Sequence, residues 1–226
     1  MLDVLDKYME GKGFRYVRYA DDFSVYAKNK SEAKRIGNEL YLFLQDVLKL
    51  PINRAKSGIR RPINFELLGH RFVPVYKKGV KGQYQLVVSH KSWGKFKCAL
   101  KRITKKTKPM SLLDRLERLT QVCRGWANNY RLTQSYVKLK KLDSWLRNRL
   151  RYCIWHDWKK LERKRKNLIR LGIEQGQAYA WSRTRMGGWA VSQSPILKTT
   201  ITVSRLKRKG YKPLVDYFNR TQTSIW

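Results

Sequence analysis

The chain has 226 residues, of which 42% are hydrophobic and 12% aromatic, and its 51 Lys plus Arg against 16 Asp plus Glu give a formal net charge of +35. The hydrophobic share excludes a disordered basic tail, and the charge points to polyanionic partners, either nucleic acid or an anionic membrane surface. No apolar run reaches the roughly 18 residues that a membrane span needs, so nothing is expected to span a membrane; of the two polyanions nucleic acid is the expected partner, and a membrane is not.

The opening "MLDVLDKYMEGKG" carries acids and no apolar stretch, so it is not a signal peptide. Residues 14–19 and 23–27 read as two short strands rich in Tyr, Val and Phe, joined by "ADD" as a hairpin. Residues 31–49 read as a helix capped by Ser31. Its apolar stripe is Ala33, Ile36, Leu40, Phe43, Leu44, Val47 and Leu48, and Pro51 stops it. "FELLGHRFVPVY" and "GQYQLVVS" read as strands joined by the turn "KKGVKG". The first 92 residues are therefore a β-β-α-β-β unit.

After residue 92 the apolar period becomes helical. Trp93, Phe96, Leu100 and Ile103 form a first stripe. Ser111 with Asp114 is a capping box for a helix carrying Leu112, Leu116, Leu119, Val122, Cys123, Trp126 and Tyr130. A longer helix is predicted over 134–158, with Val137, Leu142, Trp145, Leu146, Leu150, Ile154 and Trp158 inward. Gly172 ends a further helix, and Ser194-Pro195 opens another. The sequence shows neither an internal repeat nor a low-complexity linker.

Charge marks the same boundary. Residues 1–92 hold 18 basic and 9 acidic residues, a net of +9, while 93–226 hold 33 and 7, a net of +26, and all eight tryptophans. The expected architecture is α+β, with domains at 1–92 and 93–226. Three scattered cysteines (Cys98, Cys123, Cys153) and three scattered histidines lack zinc spacing, so zinc is not expected and a reducing, cytoplasmic setting is.

Asp21 and Asp22 stand out in a chain so poor in acid. Neighbouring side chains on a strand point to opposite faces, so both can serve one site only where the chain turns. Adjacent carboxylates repel unless a cation sits with them, and hard oxygens suit Mg²⁺. The residues alone leave two readings: a solvated polar turn or a metal-binding pair.

"RYVRYADDFSVY" resembles the active-site hairpin of reverse transcriptases. Further segments follow in the family's order. "LPINRAKS" at 50–57 is similar to its Asn-x-x-Lys-Thr segment, with Ser57 in place of Thr. "FELLGHRF" at 65–72 is similar to its primer-grip hairpin. "RGWANNYR" at 124–131 and "WLRNRLRYCIWHDWKK" resemble the maturase domain of group II intron reverse transcriptases. The resemblance implies the C-terminal part of such an enzyme: a partial palm at 1–92, then an all-α thumb and maturase domain at 93–226.

The implied roles follow residue by residue. Asp21 and Asp22 ligate the two catalytic Mg²⁺ ions of the complete site. Tyr19, Ala20 and Lys56 lie at the incoming nucleotide, and Leu68, Gly69 and His70 grip the primer. The implied partners are group II intron RNA, an RNA template with its DNA primer, and dNTPs. The family's third catalytic aspartate and its fingers belong to a segment upstream of Met1. The chain alone is therefore expected not to polymerise, and a missing N-terminal part is an expected partner. No Cys-pair and His metal cluster follows residue 210, so DNA cutting is not expected.

In the second half, cations mixed with aromatics suit phosphates and unpaired bases. Arg147, Arg149, Arg151, Lys159, Lys160, Arg163, Lys164, Arg165, Lys166, Arg205, Lys207, Arg208 and Lys209 are the candidate phosphate contacts. By resemblance Arg124, Trp126, Asn129, Tyr130 and Arg131 join them at the RNA. Trp145 and Trp158 lie on apolar stripes and are expected in the core. Two functions compete: a polymerase with maturase function, or an RNA-binding maturase module without polymerase activity. A general basic DNA-binding protein fits less well, because carboxylates at a nucleic-acid face repel phosphate unless a metal is present.

Overall fold

A computed structural model describes residues 2–76, 82–133 and 135–222. The chain divides into two compact units, Met1–Asn64 and Phe65–Trp226. The expected division at 92/93 therefore falls inside the second unit. The strands after residue 65 belong with the helices because Val88 is buried in the same core as Phe96, Leu100 and Leu119.

The first unit opens with a helix the sequence reading passed over, α1 (Leu2–Gly11), which buries Leu5 and Met9. Strands β1 (Arg15–Tyr19) and β2 (Asp22–Tyr26) pair antiparallel, with Tyr16 opposite Val25 and Tyr19 opposite Asp22. Helix α2 (Lys30–Leu42) begins one residue early, since Asn29 and not Ser31 caps it by accepting from the Glu32 N–H at 2.8 Å. It widens into a π-helical turn at Phe43–Val47, where Val47 is exposed rather than inward. The helix stops before Pro51, as expected. Leu5, Met9, Ile36, Leu40 and Leu44 form this unit's core, with Tyr16, Phe23 and Val25 packed on it. Burying each such aliphatic side chain contributes about 1.5–3 kcal/mol.

The second unit begins with a three-stranded antiparallel sheet in the order β3-β4-β5: β3 (Glu66–Leu67), β4 (His70–Pro74) and β5 (Tyr84–Val88). The single expected strand at 65–76 is thus a tight hairpin, because Leu68 and Gly69 both take positive φ and reverse the chain. Residues 77–81 of the expected "KKGVKG" turn lie outside the described residues.

Four longer helices follow: α3 (His90–Ile103), α4 (Leu112–Asn129), α5 (Tyr136–Asp157) and α6 (Leu161–Arg170). The Ser111–Asp114 capping box forms: Ser111 Oγ accepts from the Asp114 N–H at 3.1 Å and donates to its carboxylate at 2.7 Å. Gly172, at φ +91°, closes α6. Shorter helices complete the unit: α7 (Gln175–Ser182), α8 (Gly188–Gln193), α9 (Pro195–Thr200), α10 (Val203–Arg208) and α11 (Leu214–Gln222), and Pro195 opens α9 as expected. The inward face of α5 is Leu139, Leu146, Leu150, Cys153 and Trp155, whereas Val137 is exposed. Burial pushes the Cys123 thiol up to about 12, so it is an inert core residue. Among the described residues no helix is long and apolar enough to cross a membrane.

Candidate functional site

In the first unit, the Tyr19–Asp22 register leaves Ala20 and Asp21 as a two-residue loop, and Ala20 adopts φ +54°. A non-glycine residue there costs about 1 kcal/mol or more, so something must hold it. Arg18 does: its Nη1 donates to the Ala20 carbonyl at 2.8 Å, its Nε donates to Asp6 Oδ1 at 2.7 Å, and Nη2 completes an ion pair with the same carboxylate. The Arg18 guanidinium holds the Asp6 carboxyl below its ordinary value. Helix α1 thus braces the turn that carries the aspartates.

Asp21 sits in the loop and Asp22 opens β2, both exposed, as is Tyr19. As hard-oxygen donors the pair fits Mg²⁺, which takes one or two protein carboxylates and completes its shell with water and phosphate. Among the described residues no group of three His, Cys, Asp or Glu could hold a metal ion. Lys56 is exposed in a turn shaped by Asn53, whose Oδ1 accepts from the N–H groups of Ala55 and Lys56.

In the second unit, residues expected at two separate elements meet. Leu68, Gly69, Lys95, Trp126, Asn129 and Tyr130 line one open groove of about 610 Å³. Gly69 is pressed against it: its carbonyl accepts from the Ser89 N–H at 2.8 Å, and the ring of His70 lies 4.9 Å from that of Tyr130. Trp126 stacks on Phe96 with ring centroids 4.2 Å apart, and its buried indole N–H has no partner among the described residues. Trp126 and Tyr130 are therefore chiefly packing residues, while Asn129, Arg124 and Arg131 are exposed.

Four expected phosphate contacts are internal braces instead. Arg151 is 5% exposed and donates to the Ile201 carbonyl at 3.0 Å. Arg149 closes the end of α3 through the Thr104 carbonyl at 2.6 Å. Arg205 bridges the carbonyls of Leu171 and Thr200 at 2.8 and 2.7 Å. Arg147 pairs with buried Asp143. Burial lowers the pKa of Arg149 and Arg151. Two more candidates are partly engaged: Lys164 lies over the Trp155 ring, and Arg165 pairs with Glu162. Lys159, Lys160, Arg163, Lys166, Lys207, Arg208 and Lys209 stay exposed. The lysines of α3 are absent from the candidates the sequence pattern singles out, although "HKSWGKFKCALKRI" contains no acid to balance them.

The second unit is thus largely helical, with arginines that brace its interior and lysines that stay exposed. The family model of the group II intron maturase-specific domain matches residues 94–172, from α3 through the end of α6. The match supports a group II intron maturase. No curated protein matches the chain.

Proposed function

We propose that this chain serves a group II intron reverse transcriptase/maturase. Residues 93–226 bind the intron RNA and assist its splicing, and the β1–β2 hairpin supplies metal ligands for RNA-directed DNA synthesis. The match at 94–172, lying on helices with abundant exposed lysine and little exposed acid, carries the maturase reading. It is tested by fluorescence anisotropy of the full chain with a structured intron RNA across a salt series. Tight binding that weakens steeply with salt is expected, and a flat response overturns the reading.

The polymerase half is supported by the braced hairpin and by the sequence resemblance. Asp21 and Asp22 would hold Mg²⁺, which supplies charge stabilisation for phosphoryl transfer. Tyr19, Ala20 and Lys56 would face the nucleotide, and Leu68, Gly69 and His70 the primer. The family match lies on helices of the second unit, which favours a second reading: an RNA-binding maturase module without polymerase activity. Primer extension with the remaining reverse-transcriptase parts supplied in trans decides between them. Asp21→Asn is expected to slow extension by about a hundredfold, while Asp46→Asn leaves it unchanged. Wild-type rates from Asp21→Asn would leave only the binding module.

A further inference from the structure

Helix α3 has no acid in its 14 residues. On its neighbour α5 the only acid before Asp157 is Asp143, which is buried. The two helices run side by side in the same direction. Lys138 Nζ lies 6.0 Å from the Trp93 ring centroid, Lys97 Nζ lies 5.4 Å from that of Trp145, and Arg149 reaches the carbonyls of Lys101 and Thr104. Helical spacing puts 138, 145 and 149 on one stripe of α5, and 93, 97 and 101 on one stripe of α3. The result is a seam of alternating cations and rings.

Trp93 and Trp145 rest on the core but are only partly buried. Lys97 and Lys138 are exposed, and among the described residues neither makes an ion pair. Arg149 is different: its guanidinium lies 5.6 Å from the Trp145 ring centroid and is held there by backbone carbonyls. The two lysines are free to leave their rings.

We propose that the α3–α5 seam binds an unpaired stretch of polynucleotide, with bases stacked on Trp93 and Trp145 and phosphates held by Lys97 and Lys138. The proposal rests on the RNA-binding reading and adds to it the strand state and the residues. A duplex hides its base faces inside its own stack and offers these rings nothing, whereas an unpaired strand presents both base faces and phosphates. Each lysine exchanges a weak, solvent-exposed contact with a ring for a phosphate, while a base takes the ring surface the lysine leaves, beside the fixed Arg149 at Trp145.

The test is anisotropy with a labelled, unstructured oligouridylate of about a dozen nucleotides, across a salt series. Replacing both lysines (Lys97→Gln with Lys138→Gln) is expected to flatten the slope of log affinity against log salt by about 1.4, roughly 0.7 per phosphate lost. Trp145→Leu is expected to weaken binding about tenfold at every salt concentration with the slope unchanged, because stacking releases no counterions. Trp145→Tyr restores most of the affinity, which separates stacking from packing. The control, Lys28→Gln with Lys34→Gln on the first unit, leaves the slope as it was.

An unchanged slope in the seam lysine variant overturns the proposal; since both lysines are exposed, that variant does not depend on the core. Polyglutamate competing as well as oligouridylate does the same. Binding of structured intron RNA but not oligouridylate overturns the seam alone and leaves the maturase reading standing. Binding of no RNA of either kind removes both.

Discussion

Gly69 has no room for a β-carbon. One placed there would lie 2.5 Å from both Ser92 Oγ and Tyr130 Oη, and the backbone sits at φ +79°. Gly69→Ala therefore combines left-handed strain with a clash against two side chains of the same groove. It is expected to destabilise the protein by about 2 kcal/mol, read from the midpoint of urea unfolding. Its neighbour Leu68 takes φ +50° but is 52% exposed. Leu68→Gly relieves strain while loosening the unfolded chain, so its expected effect is near zero. The contrast isolates the close approach at Gly69 from the turn itself. A glycine between apolar runs marks a turn in any sequence; which atoms press on it is set by Tyr130, sixty-one positions away.

At the scale of elements, Asp143 joins α11 to α5. Its Oδ1 accepts from the Leu214 N–H at 2.9 Å and from the Tyr211 hydroxyl, and its Oδ2 pairs with Arg147. Asp143→Ala would leave a buried hydroxyl, a backbone N–H and a mostly buried guanidinium without their acceptor. A loss of about 3 kcal/mol is expected, with hydrogen exchange at 211–218 accelerating before that of α5. Equal protection in mutant and wild type would show that apolar packing alone holds α11.

Most helices after residue 92 are legible in the sequence because their signals are local: the Ser111–Asp114 box, Gly172 and Pro195. Helix α1 is legible only weakly, since Leu2, Leu5 and Met9 are few and no cap residue announces them. The division at 64/65 is not legible, because a change in composition does not say which sheet a helix packs on. The same limit governs the candidate RNA contacts. Arg149 and Arg151 sit amid a basic run, and only tertiary contacts fifty residues away make them braces.

At the scale of the molecule, the formal charge of +35 does two separate jobs. Exposed lysines are expected to set the salt response of the proposed RNA binding: about six phosphates neutralised on an unpaired strand would give a log–log slope near −4. The buried arginines answer mainly to backbone carbonyls. Arg115, 1% exposed, donates to the carbonyls of Ile103, Lys105 and Lys108 at 2.7, 3.1 and 2.6 Å. Such a brace depends on the planar fork of guanidinium, so lysine is no substitute for it. An alanine scan of this protein would consequently sort its basic residues into two kinds that a single-concentration binding assay confuses. Lysine variants of the surface lower the affinity of every molecule. Alanine at Arg115, Arg149, Arg151 or Arg205 lowers the number of folded molecules and leaves the affinity of the survivors intact, so the defect appears as a smaller active fraction in a stoichiometric titration.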